Sequence, residues 1–165
     1  MKNAKNVAYG AVIAALYVAV TYFQNFLLPG SASWAIQFRA SEALCVLALF
    51  TPAAIPGLTI GCLLFNISFS GALPLDFAVG SFATLLAVWG MYLTRKLTVR
   101  GLPLLSLFLP AVTNAFLVGW ELTVYIGGAF WLNALYVAIG EAAVLLTLGV
   151  ALYYALKPHE TRLFR

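Results

Sequence analysis

The chain has 165 residues, of which 64% are hydrophobic, 15% aromatic and 8% charged, and its nine Lys or Arg and five Asp or Glu leave a formal net charge of +4. A soluble domain carries about a quarter charged residues, and disorder needs low hydrophobicity with high charge. Both are excluded, and the lipid bilayer is the solvent that suits this composition.

Pro and Gly divide the chain into apolar runs. After a polar start, MKNAKN, the first run spans residues 7–28 and stops at Pro29-Gly30. It is too long for the apolar core of a signal peptide and no small-residue cleavage pattern follows, so it reads as a retained span. A loop over residues 31–37 carries Trp34. The second run, 38–51, is short and contains Arg39 and Glu42, the pattern of a short or partly interfacial helix. Pro52 and Pro56 mark a tight turn, and further runs cover 57–69, 75–93, 104–126 and 130–156. The expected fold is an all-α membrane protein, a six-helix bundle forming one integral membrane domain.

Basic residues set the orientation. Lys2 and Lys5 precede the first run, Arg95, Lys96 and Arg100 join the fourth to the fifth, and Lys157, Arg162 and Arg165 follow the sixth. With six spans these places share one side, so the positive-inside rule puts both termini in the cytoplasm. No basic groove or stripe of the kind that binds nucleic acid is present. Cys45 and Cys62 sit in apolar runs and read as small core residues, not as a disulfide or metal pair. The single histidine, His159, lies in the polar tail, so neither a histidine metal site nor a Ser-His triad is expected, and an intramembrane enzyme ranks last among the readings. No cofactor is implied.

Four of the five acids, Glu42, Asp76, Glu121 and Glu141, fall in or at the ends of apolar runs. A charge there costs several kcal/mol unless it is paired or hydrated, and such residues mark function by default. A rise of 1.5 Å per residue places Glu121 about 9 Å and Glu141 about 15 Å below the outer ends of their runs, with Arg39, Glu42 and Asp76 near the outer face. Gln24, Asn25, Asn66, Ser68, Trp120, Tyr125, Trp131 and Asn133 cluster at the same level, in the outer half, with Asn114 deeper. Carboxylates accept paired N–H donors, Asn both donates and accepts, and aromatic faces stack on rings or cations. Such a cluster suits a flat, donor-rich or cationic solute. Structural roles compete with this reading. The i, i+3 spacing lets Arg39 pair with Glu42, Asp76 after Pro74 suits a helix N-terminus, and Trp34 and Trp131 suit an interfacial belt. The stretches Asn114 to Glu121 and Asn133 to Glu141 share an Asn-Ala start and a later Glu, which suggests two Asn and Glu levels, Asn133 with Glu121 nearer the outer face and Asn114 with Glu141 deeper.

In the first run Ala4, Ala8, Ala11, Ala15 and Ala19 recur at helical spacing and occupy one face. Small-residue stripes let another helix approach closely in lipid, either inside this bundle or in a separate membrane subunit. Gly57 and Gly61 form a shorter motif of the same kind, suited to internal packing. No GxxxxGK[ST] loop is present, so ATP-driven action requires other subunits, and a self-sufficient proton-coupled transporter of a similar nucleobase needs the buried carboxylates instead.

The stretches Ile36 to Leu44 (IQFRASEAL), Gly57 to Asn66, Asp76 to Leu85 and Phe130 to Glu141 (FWLNALYVAIGE) resemble the QueT family over nearly the whole chain. These are substrate-binding S-components of energy-coupling factor (ECF) importers, assigned to queuosine precursors. The resemblance implies a multi-pass protein of the bacterial plasma membrane with six helices and an outward-facing site. It also implies docking through Ala11, Ala15 and Ala19 on an ECF transmembrane subunit driven by two ATPase subunits. The implied substrate is a 7-deazaguanine such as queuine or its aminomethyl precursor, with Glu141 on the ring edge and Glu121 or Asp76 on the amine.

Overall fold

In a computed structural model, which describes residues 2–29, 31, 38–69 and 72–164, each apolar run is helical and the described residues hold no strand. Helix α1 spans Lys2–Leu27, a 3-10 helix spans Ala40–Leu49, and α2 (Ala54–Ser68), α3 (Asp76–Thr94) and α4 (Leu104–Tyr125) follow. The last long segment is α5 (Phe130–Val144), a π-helical turn (Leu145–Gly149) and α6 (Val150–Leu156), after which the short α7 (Glu160–Phe164) ends the chain. Helices α1, α3 and α4 and the segment Phe130–Phe164 are each long and apolar enough to cross a membrane, and the 3-10 helix and α2 are shorter apolar helices.

The 3-10 helix departs from the interfacial position that its length and charges suggest. Ser41, Glu42, Ala43 and Cys45 to Leu49 are all buried, and the helix packs against α1, α2, α3, α4, α5 and α6 as the central strut of the bundle. From Ala43 onward its sequence is apolar on every side, which is how a helix buried all round reads. The 3-10 pitch stretches its ten residues over about 20 Å, where an α-helix covers about 15 Å. Around it Tyr17, Leu58, Cys62, Val88, Met91, Leu107 and Leu145 complete the apolar core. Cys45 and Cys62 are free and buried within it.

Small residues set how closely neighbouring helices approach. A Cβ at Gly57 would lie 2.7 Å from the Gly10 carbonyl oxygen, and one at Gly61 would lie 3.0 Å from that of Ala14 and 2.8 Å from Tyr17 Cβ. A Cβ at Gly119 would meet Ala134 Cα at 2.8 Å, so α4 and α5 touch backbone to backbone. The α1 face that meets α2 is therefore Gly10, Ala14 and Tyr17. Ala4, Ala8, Ala11, Ala15 and Ala19 lie exposed on the outside of the bundle. Because backbone cannot yield as a side-chain tip does, Gly57→Ala lowers stability by about 1–3 kcal/mol, read as a lower thermal midpoint in detergent micelles.

One end of the bundle gathers the basic segments. The Tyr9 hydroxyl donates to the Leu163 carbonyl at 2.7 Å, Phe164 stacks on Phe50, and Lys157 Nζ donates to the Gly101 carbonyl at 3.1 Å. The start of α1, the α3–α4 turn and the C-terminal segment thus meet. Arg100 and Gly101 both have positive φ in that turn (52° and 83°), as do Gly127 and Gly128 (90° and 88°) between α4 and α5 at the opposite end. At that opposite end the Gln24 amide donates to Ser31 Oγ and to the Phe38 carbonyl and accepts from the Ala40 amide, which ties the chain entering the 3-10 helix to α1.

Candidate functional site: a buried acidic core

Among the described residues one cation, Arg39, is buried, together with four acids, Glu42, Asp76, Glu121 and Glu141. Their partners differ from those that spacing alone suggests. Arg39 reaches across the bundle to Asp76 Oδ2 at 3.0 Å, where the i, i+3 spacing suggests Glu42. Glu42 accepts from the Tyr17 hydroxyl at 2.5 Å and from the Cys45 thiol at 3.2 Å. One turn along α1, Thr21 donates to Ser41 Oγ at 2.7 Å. Helix α1 thereby grips the start of the 3-10 helix and fixes where Arg39 and Glu42 project.

The deeper Asn and Glu level forms as the repeat suggests. Asn114 of α4 donates to Glu141 Oε1 of α5 at 2.7 Å. Both residues lie eleven positions from the same end of the bundle, Asn114 before Tyr125 and Glu141 after Phe130. The shallower level does not form. Asn133 donates to Thr123 Oγ1 and to the Gly127 carbonyl, both at 3.0 Å, and so holds the α4–α5 turn, while neither oxygen of Glu121 is bonded among the described residues. The correction has a simple cause: the residue opposite Asn133 at the turn is Thr123, with Glu121 on the inward face of α4.

Trp120 is 49% and Trp131 72% exposed on the exterior of the bundle, where Trp131 packs edge-on against Phe116 and Phe130. They are not the stacking walls that the sequence suggests. An aromatic cluster on the outer surface suits a membrane interface. Trp34 falls outside the described residues. Asn66, at the end of α2, donates to the Asp76 carbonyl at 2.9 Å and packs beside Gly80, where a Cβ would lie 2.8 Å from Asp76 Oδ1 and 2.9 Å from Asn66 Nδ2.

Six buried side-chain atoms among the described residues have no hydrogen-bond partner: Asn66 Oδ1, Asp76 Oδ1, Ser81 Oγ, both oxygens of Glu121 and Glu141 Oε2. Buried polar groups are bonded as a rule, and each exception needs a cause. Here every exception but one belongs to a residue that the sequence already singles out. The residues that sequence reasoning missed are Ser81, Gly80 and Tyr17. A serine in an apolar helix gives no signal alone, whereas Asp76 and Gly80 at i and i+4 share a helix face. Arg39 is paired with Asp76, and Glu42, Glu121 and Glu141 are buried in the same bundle with no second buried cation among the described residues. No group of three or more His, Cys, Asp or Glu side chains converges among the described residues to hold a metal ion.

Apolar helices long enough to cross a bilayer, wrapped around a buried acidic core, define a multi-pass membrane protein. The model of the QueT transporter family matches residues 7–158, so the chain belongs to that family and is a transporter. Comparison with curated proteins and with solved structures gives no match.

Proposed function

We propose that the chain is the substrate-capturing S-component of an ECF-type ATP-driven importer in the bacterial plasma membrane, with six spans and both termini in the cytoplasm. The substrate is a queuosine precursor, a 7-deazaguanine such as queuine or its aminomethyl precursor. The observation that carries this reading is the set of buried acceptors on Asn66, Asp76, Glu121 and Glu141 that have no partner among the described residues, in a member of a transporter family. A 7-deazaguanine brings what these atoms lack, adjacent N–H donors on a flat ring. Glu141, oriented by Asn114, takes the ring edge, because a carboxylate with one free oxygen and a neighbouring amide matches a paired donor edge. Arg39, Glu42 and Tyr17 hold the frame around it. Glu141→Gln converts an acceptor into a donor and weakens substrate affinity at least about 100-fold, the worth of two charge-assisted bonds; an unchanged dissociation constant in isothermal titration removes Glu141 from the site.

The orientation is supported by the meeting of Lys5, Arg95, Lys96, Arg100 and Lys157 segments at one end of the bundle, with Glu121 and Asp76 toward the other. Docking is supported by the outward face of α1. Ala11 and Ala15 line an apolar groove of about 700 Å³ between α1 and α2, together with Gly10, Pro52, Pro56 and Ile60, and Ala19 continues the same exposed stripe. Close backbone approach across lipid needs such small residues. Ala15→Trp therefore leaves substrate affinity unchanged and lowers uptake by the assembled importer at least about tenfold, checked by binding and vesicle uptake on the same preparation. The reading as a whole is tested by vesicles holding the chain with or without ECF partner subunits. Uptake follows ATP and requires the partners; uptake by the chain alone, driven by a proton gradient, replaces this reading with a secondary transporter.

A further inference from the structure

We propose that the pocket at the basic end of the bundle, between the ends of the 3-10 helix and α3 and the segments α6 and α7, binds a phosphate-bearing anion of the kind a phospholipid headgroup presents. The site is separate from the acidic core and goes beyond the substrate-capture reading. Its space of about 390 Å³ is walled by Phe50, Tyr92, Arg95, Lys96, Tyr153 and Glu160 among others. The walls are mostly polar, in a chain where 64% of residues are hydrophobic. Among the described residues that line it, two cations, Arg95 and Lys96, stand against one acid, Glu160, and Lys157 Nζ lies 5.1 Å from the centroid of the Tyr153 ring. An anion balances that excess.

Arg95 is held ready for it. The guanidinium lies over the Tyr92 ring, 3.7 Å from the centroid, and donates to the Tyr92 carbonyl. A guanidinium has five N–H donors, so fixing it through one leaves a planar fork that matches phosphate oxygens. Lys96 adds an exposed point charge. The positive-inside bias asks only for basic residues at the end of a span, not for a polar space walled around them. Position points to a headgroup, because Arg95 and Lys96 follow directly on α3, whose last turns expose Trp89 and Leu93 on the outside of the bundle. A lipid lying along that face carries its phosphate to the level where α3 ends, and basic pockets between helices on the cytoplasmic side hold anionic headgroups in this way. Phe50 stacks on Phe164 and Glu160 begins α7, so an occupant also secures the C-terminal segment against the bundle.

The test uses the purified full chain in nanodiscs of zwitterionic phosphatidylcholine, with and without anionic phosphatidylglycerol, read by native mass spectrometry and thermal unfolding. Phosphatidylglycerol is retained at one molecule per chain and raises the thermal midpoint. Arg95→Gln lowers that retention at least about tenfold, the worth of one charge-assisted bond, whereas Arg162→Gln, an exposed loss of one charge on α7 that does not line the pocket, leaves it unchanged. The exposed change Lys96→Gln lowers retention too and keeps the test decisive if Arg95→Gln does not fold. Inorganic phosphate added to phosphatidylcholine discs separates the sources: a midpoint raised by the lipid alone assigns the site to a headgroup, and one raised equally by free phosphate, and lost in Arg95→Gln, assigns it to the soluble anion. Equal retention in Arg95→Gln, Lys96→Gln and Arg162→Gln overturns the site, since the attraction is then to net charge alone. No response to either ligand overturns it as well, and loss of assembly with partner subunits in Arg95→Gln then gives the pocket to an acidic segment of a partner.

Discussion

Replacing Glu121 with methionine weakens substrate binding and makes the protein harder to unfold. The side chain is fully buried and neither oxygen is bonded among the described residues, so in the ligand-free protein it is a desolvated acceptor with nothing to offset its cost. Methionine fills a similar volume without polar atoms, and removing buried charge in favour of packed apolar groups gains about 1–4 kcal/mol. For a chain of this size each kcal/mol moves the melting midpoint by about 2–4 °C. Substrate affinity falls at least about 100-fold over the same change, because the lost bonds are charge-assisted. A residue kept for folding gives the opposite pair of results. Lower stability with unchanged binding in Glu121→Met therefore assigns Glu121 to structure and removes it from the site.

Breaking the ion pair of Arg39 with Asp76 from one side destabilises the protein more than any other single change in the core. Both partners are buried, at 3.0 Å, and Arg39 is the one buried cation among the described residues. Arg39→Met strands Asp76 and leaves four buried acids with no buried cation among the described residues, at a cost of about 3–5 kcal/mol. The double variant Arg39→Met with Asp76→Leu recovers most of that loss, since neither charge is then left alone. A double-mutant cycle on thermal unfolding reads the coupling, and additive losses from the two single changes mean that the pair does not act as a unit.

The parts of this core that the sequence announces are those whose chemistry conflicts with their surroundings. Glu42, Asp76, Glu121 and Glu141 are visible because acids in apolar runs are costly, and all four are buried. The helices are equally visible, because Pro and Gly punctuate the runs between them. Partner choice is another matter. Arg39 has Glu42 one turn away in sequence and takes Asp76 from α3, a decision made by how helices meet and not by local spacing. The 3-10 pitch of Ala40–Leu49 is hidden for the same reason, since the apolar pattern of so short a segment does not distinguish pitches. Direction around a helix was legible only in part. The alanine stripe of α1 is real and faces outward, but a second stripe of Gly10, Ala14, Tyr17 and Thr21 beside it makes the contacts to α2 and the 3-10 helix. Trp120 sits next to Glu121 in sequence, yet neighbouring positions on a helix point about 100° apart, and so one is exposed where the other is buried.

The account depends on a binding core that captures its substrate before any partner or energy source acts. The most direct measurement is equilibrium dialysis of 7-aminomethyl-7-deazaguanine against the purified chain in lipid nanodiscs, without ECF subunits, ATP or a proton gradient. Saturable binding at one molecule per chain, competed by queuine and lost in Glu141→Gln, is the result predicted. No saturable binding by the folded wild-type chain contradicts it.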